Sequence, residues 1–100
     1  MTTNDDISNK ALELALAWGP DWLKPTQPRL KAIHPELSDA ELDAYDKLAR
    51  AAMFHGTRYV YDHPDCTRDA CEADLRAQYP WVSEANLRQI YSQGQYYAHK

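Results

Sequence analysis

From Ser38 onward, SDAELDAYDKLARAAMFHGTRYVYD holds helical spacing for five turns or more, and no other stretch of the chain constrains the fold as tightly. Ser38 followed by Glu41 is a capping box, in which the serine hydroxyl accepts from the third-residue amide and the carboxylate accepts from the Ser38 amide. The apolar and small residues Leu42, Tyr45, Ala49, Ala52, Met53, Gly56, Tyr59 and Val60 recur at three- and four-residue steps, which marks one inward face. Asp43 and Lys47, then Asp46 and Arg50, are acid-before-base pairs at the four-residue spacing of an outer face. A long helix over about 39–62 follows. Ala49, Ala52 and Gly56 carry almost no side-chain bulk, so a second helix can approach closely beside them.

The rest of the chain reads as helices around this one. Asn4 or Asp5 can cap a first helix whose face is Ile7, Ala11, Leu14, Ala15 and Trp18, with Leu12 and Leu16 widening the stripe and Gly19-Pro20 stopping it. Three prolines between residues 20 and 28 break any continuation; Thr26 caps a short second helix that offers Leu30 and Ile33 inward. Thr67 caps a fourth helix carrying Cys71 and Leu75. Ser83 caps a fifth with Leu87, Ile90, Tyr91, Gly94 and Tyr97 on one side, and Gly94 there weakens its last turns.

Residues 30–42, LKAIHPELSDAEL, echo residues 75–87, LRAQYPWVSEANL, at an offset of 45 with six identities. In both, a helix ends at an aromatic residue before proline, an apolar residue (Leu37, Val82) precedes a serine cap, and a new helix begins, which is the arrangement of a hydrophobic staple. Each copy is a helix-corner-helix unit. Duplication and the shared grammar of helix caps account for the match equally well. The His34-Pro35 and Tyr79-Pro80 corners resemble the Phe-Pro corner of the CUE class of ubiquitin-binding domains over about a dozen residues. That class has three short helices, whereas here the first copy leads into one long helix, so ubiquitin binding is not carried over.

The expected fold is an all-α single domain over residues 1–100, four to five helices built from two helix-corner-helix units around the long helix. Its expected core holds Leu14, Trp18, Leu30, Ile33, Leu42, Tyr45, Ala49, Met53, Leu75, Leu87 and Ile90. One hundred residues allow one modest core and no second domain.

Charge and cysteine bound the function. The net charge is −4, with nine acidic and four basic side chains in residues 1–46 against six and seven in residues 47–100. No dense basic stripe is present, which disfavours a nucleic-acid or anionic-membrane surface. The apolar run 11–18 is interrupted by Glu13 and too short to span a bilayer, so no membrane segment is expected. Two cysteines are too few for a disulfide-built scaffold, which points to a reducing, cytoplasmic setting.

Two chemistries compete for the rest. His55, His63, Cys66 and Cys71 are residue types that zinc takes, and a thiol at a helix start beside an imidazole has its thiolate favoured. Their spacing is not that of paired structural loops, and Cys71 shares the inward face with Leu75. Trp81, Tyr91, Tyr96 and Tyr97, with Arg88 among them, have the composition of a protein interface. On this balance the sequence favours a non-enzymatic interaction or regulatory module that binds a protein partner or self-associates, using this aromatic helix and the small-residue groove of the long helix. A metal- or thiol-dependent site at 55–71, with zinc as its cofactor, is the alternative.

Overall fold

A computed structural model of the chain describes residues 4–17 and 25–99, all of them in helices or the short joints between helices. Five helices follow in order: α1 (Asp5–Ala15), α2 (Gln27–Ile33), α3 (Asp39–Asp62), α4 (Arg68–Gln78) and α5 (Glu84–Ala98). The expected Trp18 core position, the Gly19 stop and the contacts of Trp22 and Leu23 lie outside the described residues.

Local chemistry places the ends. The Asn4 side chain accepts from the Asp6 and Ile7 amides at the start of α1. Ser38 and Glu41 form both halves of the capping box at α3. Thr67 accepts from the Ala70 amide and Ser83 from the Asn86 amide. Thr26 departs from expectation. It stands at the N-cap of α2 without capping it, because its buried hydroxyl is drawn to Asp46 across the bundle.

Three joints share one geometry. His34, His63 and Tyr79 end their helices at φ −125°, −131° and −135° with ψ 72°, 66° and 72°. Each is followed by proline, whose ring pushes the preceding residue out of the helical region. Each carbonyl then accepts from the amide three residues on, that of Leu37, Cys66 and Val82 at 3.2, 2.9 and 3.1 Å. Each corner closes on a Ser or Thr cap at ψ 159–164°. The bundle thus repeats the corner once more than the two-unit reading allowed: His-Pro-Asp-Cys-Thr at 63–67 is a third copy. Cys66 holds the staple position that Leu37 and Val82 hold elsewhere.

The helices alternate in direction. Gly56 faces Ile90 and Val60 faces Gly94, so α3 and α5 advance together. Asn9 meets Asn86 and Leu16 meets Gln93, so α1 runs the same way. α4 returns alongside α3 and α5, with Asp74 at His55 and Leu75 beside Gly56. α3 is the central element, packed on each of the other four.

The small-residue notch does what the sequence implied at the level of packing. A Cβ on Gly56 would sit 2.2 Å from Ile90 Cγ2, and one on Gly94 would sit 2.9 Å from Val60 Cβ. This close approach also explains why α5 runs regularly through Gly94 to Ala98: tight packing against Val60 offsets the roughly 1 kcal/mol a helical glycine costs. It corrects the expectation that the groove of Ala49, Ala52 and Gly56 serves a partner, since all three are buried inside the bundle.

The core contains Leu30, Leu42, Tyr45, Ala49, Met53, Leu75, Leu87 and Ile90 as expected. Two positions differ. Ile33 is 47% exposed, because seven-residue α2 touches the bundle along one line that Leu30 occupies, and Leu37 from the corner is buried with the core instead. In α1 the buried face is Ser8, Ala11, Leu12 and Ala15, with Leu16 just beyond the helix, while Leu14 and Ile7 lie at its margin. α1 packs mainly on α3, which keeps Ala11 and Ala15 inside and takes Leu12 and Leu16, the residues that widen the stripe, in place of Leu14.

Candidate functional site

The residues named for a metal or thiol site separate into two environments. His55 and His63 share one open groove of about 350 Å³ at the α3–α4 join, together with Asp62 and Asp74. His55 Nε2 lies 2.6 Å from Asp74 Oδ2, and its ring meets Tyr79 edge-on at 5.6 Å. His63 packs on Tyr59 one turn back, with ring centroids 4.8 Å apart. The cysteines line no part of this groove. Cys66 leans on the core as a corner staple, Cys71 is fully buried, and both are free thiols. Among the described residues no group of three or more His, Cys, Asp and Glu side chains is arranged to hold a metal ion.

Burial, with the nearby Cys66, Asp74 and Glu72 charges adding to it, pushes the Cys71 thiol up from 9.0 to about 12. The sign of the stability effect follows. An unfolded chain releases this proton near pH 9 and the folded chain holds it, so the contribution of Cys71 is full below pH 9 and is lost as pH climbs toward 12. The expected slope is on the order of 1 kcal/mol per pH unit over that window. Urea melts between about pH 8 and pH 11 measure it, and Cys71→Ala should flatten the decline; an unchanged decline in that variant refutes the assignment. A thiol reagent at neutral pH should label Cys66 in the native protein and Cys71 only after unfolding.

The aromatic set named for an interface is also divided. Trp81 sits in the Tyr79-Pro80 corner against the core, its ring 6.5 Å from Tyr79, and its carbonyl accepts from Asn9 Nδ2 at 2.8 Å. Asn9 Oδ1 accepts in turn from the Ser83 amide at 2.8 Å and from Asn86 Nδ2 at 3.0 Å, so α1 clamps this corner. Tyr91 is half-buried and donates to the Cys66 carbonyl at 3.4 Å. Arg88 lines an open, charge-balanced groove between α4 and α5 with Arg68, Arg76, Asp69, Glu72 and Glu84. Tyr96 and Tyr97 pack edge-to-face at 5.3 Å near the far end of α5, and partial burial raises the Tyr97 hydroxyl above its usual range. Trp81 and Tyr96 stand 15 residues apart along or beside one helix, roughly 20 Å, so the five residues do not form one patch.

A further exposed aromatic face lies on α3, where Phe54 joins Tyr61, a tyrosine among those that a small bundle cannot all bury. Phe54 is 56% and Tyr61 66% exposed, two large aromatic side chains seven residues apart and therefore on one line of the helix. With Thr57, Arg58 and Asp62 they border a shallow groove of about 500 Å³. The signal was present in the sequence: once Ala49, Ala52, Met53, Gly56 and Val60 are assigned inward, Phe54 and Tyr61 must point the other way. No described helix is long and apolar enough to cross a membrane. No family model, curated protein or solved structure matches the chain.

Proposed function

We propose that the protein is a non-enzymatic protein-interaction module whose docking surface is the outer face of α3. One observation carries the reading: Phe54 and Tyr61, each more than half exposed, stand on one helical line beside Arg58. An exposed apolar strip rimmed by polar and charged residues, here Thr57, Arg58 and Asp62, is the pattern of an interaction site. Aromatic residues with arginine are the types that concentrate binding energy at interfaces, since they lose few rotamers and desolvate a large area. A five-helix bundle with α3 at its centre holds that line rigid, which lowers the cost of ordering it on binding.

Photo-crosslinking tests it. A photoreactive phenylalanine analogue in place of Tyr61, in lysate of the native host, should form discrete adducts, while the same analogue at exposed Gln78 on α4 should form none. Equal adduct patterns from both positions, or none from position 61, overturn the reading.

A further inference from the structure

Resting on that reading, the geometry points to a second copy of this chain as the partner, with two α3 helices docked antiparallel. The outer face of α3 is self-complementary. Six residues line the outer face at steps of four and three: Lys47, Ala51, Phe54, Arg58, Tyr61 and Asp65, the last just beyond the helix in the second corner, and all six are exposed. A twofold axis crossing α3 at the level of Gly56 pairs residue i with residue 112 − i. Every member then meets another member of the same set: Lys47 with Asp65, Ala51 with Tyr61, and Phe54 with Arg58.

Each of these meetings is chemically favourable. The Lys47 ammonium arrives at the acidic end formed by Asp62 and Asp65. Ala51 leaves room beneath the bulky Tyr61 ring. The Arg58 guanidinium lies over the Phe54 ring, where its charge is attracted to the face of the π system. Parallel docking of the same face sets Lys47 on Lys47 and Arg58 on Arg58, so charge selects the antiparallel sense. The ion pairs already present, Lys47 with Asp43 at 3.0 Å and Arg58 with Asp62 at 3.5 Å, are exposed and weak, and exchange for pairs across the dimer at little cost.

The size of the face sets the strength. A strip from residue 47 to 62 is roughly 24 Å long, and a face of that length one helix wide buries on the order of 1,000 Å² in total, the low end for specific association. A weak, reversible dimer is therefore expected.

Sedimentation velocity from about 5 μM to 1 mM reads this directly. The wild-type chain should shift from monomer to dimer across that range, and Phe54→Glu, a surface change that leaves the core untouched, should remain monomeric throughout. Asp62→Lys with Asp65→Lys should weaken the dimer at least about tenfold, and mixing that variant with Lys47→Asp should restore association in the mixture. A wild-type monomer at 1 mM, or a dimer indifferent to Phe54→Glu, overturns the proposal; failure of the charge-reversed mixture overturns the antiparallel register. Adducts from position 61 whose mass is not twice that of the chain leave the interaction reading standing and defeat the second copy as partner. Absence of adducts defeats both.

Discussion

Gly56→Ala is expected to lower stability by about 1–2 kcal/mol, although alanine is the better helix former by about 1 kcal/mol. The added methyl sits 2.2 Å from Ile90 Cγ2 and 3.0 Å from Leu75 Cδ1, far inside van der Waals distance. Ile90 cannot swing that methyl away freely, because a β-branched side chain in a helix has one strongly preferred χ1. α5 must move off α3 instead, and overpacking of this kind costs about 1–3 kcal/mol, more when the insertion is larger. Gly56→Val should remove most of the ~5–10 kcal/mol that holds a domain of this size together. Ile90→Leu moves the branch out to Cγ and deletes the clashing Cγ2, so the double variant Gly56→Ala with Ile90→Leu should recover part of the loss. Urea denaturation of the four members of the cycle measures the coupling, and a Gly56→Ala protein as stable as wild type would sink the account.

Asp46→Ala should cost about 2–4 kcal/mol. Asp46 is nearly buried on α3 and accepts from the Thr26 hydroxyl and from Arg50 Nε, the latter at 3.1 Å to Oδ1 and 3.3 Å to Oδ2. Arg50 Nη2 also approaches the Thr26 hydroxyl at 3.4 Å, which closes a three-residue network tying α2 to α3. Removing the carboxylate leaves a buried hydroxyl and a largely covered guanidinium without their shared acceptor, which is where the penalty arises. Asp46→Asn keeps an acceptor for Thr26 and loses only the charge facing Arg50, so about half the effect is expected. For a chain of 100 residues each kcal/mol moves the midpoint of thermal unfolding by about 4–8 °C, within easy reach of circular dichroism. If Asp46→Ala melts within a degree or two of wild type, the network is incidental.

These two sites differ in how visible they are along the chain. The Gly56 notch belongs to a helical pattern of small residues and can be read from Ala49, Ala52 and Gly56 together. The Thr26–Asp46 contact cannot, because Thr26 in a TQP context reads as a helix cap and Asp46 reads as the acid of a surface pair with Arg50. The pairing with Arg50 is real; its burial under α2 is a tertiary fact. Cys66 shows a related ambiguity. Beside His63 its sulfur suggests chemistry, yet in the corner geometry it is a small apolar residue before a threonine cap, equivalent to Leu37 and Val82. The copy at 63–67 was hidden by one residue whose type carries two meanings.

The candidate surface moved for the same reason. Trp81, Tyr91, Tyr96 and Tyr97 are close in sequence and rich in the right residue types, but a 15-residue helix spreads them over both ends and several sides of the bundle. Phe54 and Tyr61 are less conspicuous in composition, and they stand out only once the opposite face of α3 is committed to α5.

What the chain settles by itself is local: where helices start, where proline ends them, and which side of the long helix is apolar. Caps and corners act over about three to five residues, so their chemistry is complete within the sequence that carries them. Which of two apolar stripes on α1 turns inward, which polar groups meet under α2, and which aromatic side chains stay uncovered depend on partners far away along the chain. Those choices are made by competition among helices for one limited core, and only the packed bundle decides them.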